Sequence, residues 1–375
     1  MMHAVEILER LIAFPSVAGQ ANDAIVEWIR AYIEDCNATV TVLPGPEGNR
    51  ANLFATIGPA DVPGYILSGH MDVVPANEPA WSSDPFTLRA EANRLYGRGT
   101  SDMKGFLAAA LAALPALAAK PLARPIHLAF SYDEEAGCRG APHMIARLAE
   151  LCARPEGAII GEPSTMRAIR AHKGKAAARV EIHGRSGHSS RPDQGLNAVH
   201  AMAEVLAEAV VSAERASQGP FDTAFEPAYS SLQAGTIKGG QAVNIIPDLC
   251  IAEFEARAVS GVSPTELLAP LKARAESLRA KGFEVNWELT SAYPGLSLSA
   301  DAPLACLLAE LTGEEPLAAV SYGTEAGLYQ AAGIDAIICG PGDIARAHRP
   351  DEFILTDELT ACQSMIEALG NRLCP

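Results

Sequence analysis

Apolar residues recur at helical spacing over residues 5–11 and 24–33, and residues 38–43 and 52–57 then alternate as strands do. Residues 65–68 (YILS) form a short apolar run that ends in a Gly-His turn. Residues 104–120 predict a buried helix, 125–131 another strand, and 158–160 (AII) a further one. Strands that alternate with helices specify an α/β domain with a mixed, mainly parallel sheet. The texture changes near HKGK at 172–175. From there the pattern predicts a strand (176–183), a helix (195–211), two strands (231–238 and 250–259), a helix (264–281) and a strand (284–290). That βαββαβ order is an α+β unit of the ferredoxin type. The turn YPGL at 293–296 marks the return. Residues 299–375 resume alternation: helix, strand (318–321), helix, strand (336–339), final helix. The expected organisation is one domain of residues 1–173 and 289–375, split by an inserted domain of residues 174–288.

Composition narrows the function classes. The chain has 375 residues and a formal net charge of -16. Lys and Arg are scattered with no basic block, which argues against nucleic acid or an anionic membrane as partner. The most apolar run, 106–119, is interrupted by Pro115 and is too short for a membrane span, which needs about 20 residues. The first eleven residues carry acidic groups and helical spacing rather than the apolar core of a secretory signal. The eight cysteines are widely spaced with no CxxC pair, as free thiols in a reducing cytoplasm are.

The chemistry lies in polar residues that follow strands. SYDEEAG, at 131–137, places three carboxylates in a row where an apolar strand ends. Carboxylates so placed in a cleft need cations. His70, with Asp72 two residues on, suits a metal ligand oriented by a second acid; alone, it reads more simply as a hydrogen-bonded turn histidine. The Gly-rich GRGTSDMKG at 97–105 lacks a phosphate loop's spacing, and its Asp would repel phosphate, so it presents one carboxylate, Asp102. GEPS at 161–164 offers Glu162, otherwise an ordinary turn, and AHRPDE at 347–352 offers His348, otherwise a solvated loop histidine. Taken together, His70, Asp102, Glu134, Glu135, Glu162 and His348 all follow strands of the outer domain, on one edge of one sheet. Two imidazoles and several carboxylates suit two divalent ions of the zinc type. Asp102, Glu135, Glu162 and a bridging hydroxide would neutralise two such ions, leaving Glu134 as a free base.

These stretches, with SGHMDVVP (68–75), GRSGHSSRPDQGLNAV (184–199), GGQAVNIIPDLC (239–250), GTEAGLYQ (323–330) and CGPGDIARAHRPDEFI (339–354), resemble one family in order along nearly the whole chain. It is the dinuclear zinc peptidase and deacylase family that includes acetylornithine deacetylase, succinyl-diaminopimelate desuccinylase, aminoacylases and carboxypeptidase G. The resemblance implies a zinc-peptidase-like α/β catalytic domain carrying a ferredoxin-like dimerisation (lid) domain, and a homodimer formed through the latter. It implies His70 and Glu162 on one metal, Glu135 and His348 on the other, and Asp102 bridging. Asp72 would orient His70, Glu134 would be the general base, and the Asp102–Met103 peptide would be cis. The metals would be zinc, with cobalt as the alternative. His188 would reach a second subunit's site and polarise the scissile carbonyl, while Asn244 and Arg257 would bind substrate; the residues alone give a loop histidine and a solvated strand arginine.

GTEAGLYQ and the GPGD…AHRPDEFI stretch are most similar to the acetylornithine deacetylases within the family. That implies hydrolysis of N2-acetyl-L-ornithine, an arginine-biosynthetic reaction, with Glu325 at the substrate's cationic end or else a structural loop carboxylate. The alternatives are a deacylase for succinyl-diaminopimelate or another N-acyl amino acid, and a non-catalytic binding protein on the same fold. The latter would lack Glu134 or a ligand, and none is missing.

Overall fold

The segment Ala51–Ile57 (ANLFATI) is buried at every position. A strand can be so only where its sheet is covered on both faces. The structure, a computed structural model, describes residues 2–36 and 38–375. In it this segment belongs to a six-stranded sheet whose members in chain order are β1 (Thr39–Pro44), β2 (Ala51–Ile57), β3 (Tyr65–His70), β4 (Ile126–Ser131), β5 (Gly157–Ile160) and β6 (Ala336–Ile338). Their order across the sheet is β1-β2-β4-β3-β5-β6. The strands β4, β3, β5 and β6 are parallel, and β1 and β2 add an antiparallel edge. This is the mixed, mainly parallel sheet that the alternation predicts.

The crossover from β3 to β4 contains the helix Lys104–Ala118, which is apolar on all sides and runs through Pro115. It packs against β3 at Gly69, where a Cβ would fall 2.8 Å from both Leu107 Cδ1 and Met103 Cε. The helices Ala4–Ile12 and Thr356–Arg372 pack beside it. The register pairs His70 with Ser131, Ser68 with Ile160, and Ile160 with Ile338. The carboxyl ends of the parallel strands are therefore level, which is where open α/β sheets place their sites. At that edge β5 and β6 approach so closely that a Cβ on Gly340 would lie 2.0 Å from the Gly161 carbonyl oxygen. Only glycine fits there.

One expected element does not form. Residues 318–321 are not a strand: Leu317 and Val320 make isolated bridges only. The apolar run is four residues long and meets Ser321-Tyr322-Gly323 at once, so a ladder has nothing to extend along.

The chain divides into two compact units, one of residues up to Ala171 with Leu296–Ala318 and Thr324–Pro375, the other of His172–Gly295 with Ala319–Gly323. The second unit carries a four-stranded antiparallel sheet. Numbered along the chain as Gly174–His183, Ser231–Gly239, Leu249–Ala258 and Glu284–Tyr293, its strands lie in the order 4-1-3-2. With the helices Ala198–Ser217 and Pro264–Ser277 this is the ferredoxin-type arrangement. Its first strand buries every second residue, as a sheet covered on one face requires. Its own core joins Ala178, Val180, Ile182, Met202, Phe254 and Leu271. No described helix is long and apolar enough to cross a membrane.

Candidate metal centre

The three carboxylates after β4 have different neighbours. Asp133 adopts a left-handed backbone (φ 52°) and turns its side chain away from the strand ends. One oxygen accepts the Gly19 N–H at 2.7 Å and the other pairs with the Arg50 guanidinium. The turn then presents the N–H groups of Glu134 and Glu135 to the two oxygens of Asp72, each at 3.1 Å. Asp72 thus fixes the backbone that carries the next two carboxylates. The ring of His70 is oriented by the same residue, but through its main chain: Nδ1 lies 2.9 Å from the Asp72 carbonyl oxygen and 3.7 Å from its carboxylate. The sequence predicts an orienting Asp72, and the structure moves that contact to its backbone.

The predicted ligands come together as two overlapping groups, His70–Asp102–Glu162 and Asp102–Glu135–His348, the donor atoms of each lying within 4.8 Å of one another. His70 Nε2 is 3.1 Å from Asp102 Oδ1 and 3.9 Å from Glu162 Oε1. His348 Nε2 is 3.2 Å from Asp102 Oδ2 and 3.0 Å from Glu135 Oε1. Asp102 therefore offers one oxygen to each group. The Asp102–Met103 peptide is cis. Glu134 belongs to neither group; its Oε1 accepts the thiol of Cys138 at 3.2 Å.

The electrostatics show what this donor set needs. Burial pushes the Glu134 carboxyl up to about 8 and that of Asp72 to about 7; Glu135 adds to both and His70 opposes. Burial, then the charges of Asp102 and Glu134, hold Glu162 well above the carboxylate range. Burial also works against ionised Asp102, but its bonds to His348 and His70 outweigh that and hold it low. Those to Asp102 and Glu135 raise His348 to about 10. Together these directions express an excess of buried negative charge gathered in one place. Two divalent ions would offset it, each with imidazole and carboxylate ligands of the zinc type and three donors in reach.

Glu325 presents no open carboxylate for a substrate's charged end. It is 1% exposed, and its oxygens accept the hydroxyls of Ser68 and Ser131, the latter at 2.8 Å. Ser68 also meets the Tyr329 hydroxyl at 2.8 Å. A carboxylate with no open face cannot receive an ammonium, so Glu325 ties β3 to β4 from within. In the second unit, His188 and Asn244 are brought together: the short strand Gly187–His188 pairs with Ile245–Ile246, and Ser189 N–H donates to the Asn244 carbonyl oxygen. His188 is exposed, with Nδ1 2.8 Å from Ser190 Oγ. Arg257 stands apart from them, opposite Lys175 in the sheet and paired with Glu255 at 3.0 Å. Sequence reasoning missed Arg50 and Cys138: Cys138 directly follows SYDEEAG but reads as one more scattered thiol, and only folding brings Arg50 to Asp133.

The family model for Peptidase family M20/M25/M40 matches residues 66–372, which include every residue of both donor groups. The chain is similar to an acetylornithine deacetylase of Proteus mirabilis (strain HI4320), 35% identical over 364 residues that cover 93% of this chain and 91% of that one. Among solved structures it resembles the M20 family metallo-carboxypeptidase Sso-CP2 from Sulfolobus solfataricus (TM-score 0.79, 19% identity, 99% of each chain). It also resembles the Bacillus subtilis YXEP protein, a dinuclear metal binding peptidase from the M20 family (TM-score 0.65, 15% identity, 98% of this chain and 96% of that one).

Because Asp102 is common to both groups, Asp102→Ala should cost the protein both ions, whereas His70→Ala or His348→Ala should each leave one. Equilibrium dialysis of metal-stripped protein followed by metal analysis reads the stoichiometry. An Asp102→Ala protein that keeps one site at full affinity would show that the carboxylate is not shared.

Proposed function

The chain belongs to peptidase family M20/M25/M40, and on that footing we infer that this metal-dependent amidohydrolase releases the acyl group of an N-acyl amino acid, with N2-acetyl-L-ornithine as substrate. The observation that carries the reading is Glu134. It stands beside two donor groups that share Asp102, and it is committed to neither. The acetylornithine assignment draws on the similarity to a deacetylase of that name along almost the whole chain.

When bound, the two ions acidify a water and draw charge from an acyl oxygen. Zinc suits the donors, with cobalt as the alternative. His70 and Glu162 would hold one ion, Glu135 and His348 the other, and Asp102 both. Glu134 takes one proton of the water as its oxygen bonds to the acyl carbon. It then gives that proton to the amide nitrogen as the carbon–nitrogen bond breaks, and the acid's remaining proton passes to the amine, so a carboxylate and an ammonium leave. Asp72 keeps Glu134 in place for both transfers through its bond to the Glu134 N–H. Arg257 has the planar fork that suits a substrate carboxylate, with Asn244 as a second contact.

The second unit supports a homodimer. Its edge strand Ser231–Gly239 has no partner on its outer side among the described residues, and Ile237, Val210 and Val211 are exposed there and on the helix Ala198–Ser217. Unpaired edges of this kind invite a second copy. Exposed His188 is the residue we assign to the scissile carbonyl in that copy's site, an oxyanion contact. Eight unpaired cysteines fit a reducing compartment, the cytoplasm.

Glu134→Gln should retain both ions and lower kcat by a factor of about 10² to 10⁴; unchanged turnover would remove Glu134 from the mechanism. On a panel of N-acetylornithine, N-acetylmethionine, succinyl-diaminopimelate and a simple dipeptide, kcat/KM should be highest for N-acetylornithine. A preference for another acyl amino acid would keep the hydrolase and discard the arginine-pathway substrate. Sedimentation equilibrium should report a dimer, and a monomer at micromolar concentration would leave His188 without a site to serve.

A further inference from the structure

A buried ion pair outside both donor groups fastens the loop that carries Asp102. The short strands Arg94–Tyr96 and Phe353–Leu355 run antiparallel with Tyr96 opposite Phe353. One step beyond that ladder, Gly97 N–H donates to the Glu352 carbonyl oxygen at 2.9 Å. The pairing thus delivers the Glu352 side chain beneath the 97–103 turn, where it is 1% exposed. Its Oε1 accepts the main-chain N–H groups of Ser101 at 2.9 Å and Asp102 at 3.1 Å. Its Oε2 accepts Arg98 Nη1 at 2.9 Å.

Arg98 is equally buried. Nη1 also reaches the carbonyl oxygen of Arg349 (3.4 Å), and Nη2 reaches the carbonyl oxygen of Pro75 (3.3 Å) and the carboxylate of Glu78 (3.1 Å). The pair therefore joins three loops: the one after His70, the one holding Asp102 and the one holding His348. Taking such a pair out of water costs about as much as its attraction returns. Fold stability is a weak reason for it, and geometry is the stronger one. A glutamine could not replace Glu352: with its oxygen towards the two N–H groups, its NH2 would face the donors of Arg98, and the reverse orientation breaks the main-chain bonds.

We propose that Glu352, held by Arg98, is a positioning residue of the metal centre: it fixes the backbone at Asp102, the ligand common to both ions, and locks it to the loop that presents His348. The proposal rests on the dinuclear reading above. Its test is the zinc affinity of the metal-stripped full chain, by competition with a chromophoric chelator, at a temperature where far-UV circular dichroism shows each protein folded. Glu352→Gln should weaken binding by a factor of about 10 to 100, the usual effect of losing a group behind the ligands, and Arg98→Lys should weaken it by less. A merely structural role would lower the melting temperature of the metal-free protein and leave the affinity of the folded protein unchanged. Glu352→Gln affinities within about two-fold of wild type at both sites would overturn the proposal. Should that variant not fold, Arg98→Lys decides, with wild-type affinity as the overturning result. A wild-type chain that bound no pair of ions would instead sink the dinuclear reading itself.

Discussion

Repulsion between carboxylates at one end of a sheet is the constraint that the rest of this structure answers. A buried carboxylate is tolerable only with a counter-charge or donors at hand. Each one here has a different answer. Asp133 takes Arg50 and a glycine N–H, Asp72 takes two main-chain N–H groups, Glu325 takes two serine hydroxyls, and Glu352 takes Arg98 and two more N–H groups. Among the described residues, Asp102, Glu135 and Glu162 have only the two imidazoles and one another. That residual deficit of positive charge is what divalent ions make good, and Glu134 is what remains when they have done so.

The fold makes this crowding possible. Parallel strands in level register deliver His70, the turn after Ser131 and Glu162 to one edge, and glycines at 161 and 340 let the strands close in. The second unit is built on another plan, with its own core and an open sheet edge. The proposed function assigns recognition and association to it and the ions to the first.

Much of this was legible in the sequence because it rests on local signals. Period-two and helical patterns mark the strands and the buried helix. Of the candidate ligands, His70 and Glu162 each follow a glycine at the end of an apolar strand, and Glu135 closes the carboxylate run after another. What escaped depends on contacts distant in sequence. Arg50 lies 83 positions from Asp133, and nothing local in SYDEEAG distinguishes the structural carboxylate from the two behind it. Glu325 reads as a loop residue, yet the helix Ala326–Ala331 that follows it carries it under β3 and β4. In the Asp72 contact, the carbonyl and the carboxylate belong to one residue, and only the fold decides which of them meets His70 Nδ1. Residues 318–321 show the converse: apolar composition without the length to form a strand.

The central claim is that one carboxylate, Asp102, holds two ions side by side. X-ray absorption fine structure at the zinc edge, on protein reloaded with two equivalents, tests it most directly. A shared Asp102 predicts nitrogen and oxygen neighbours at about 2.0–2.2 Å and zinc–zinc scattering at about 3.5–4 Å. Spectra with no metal–metal scattering at full loading, or with sulfur among the neighbours, would contradict it.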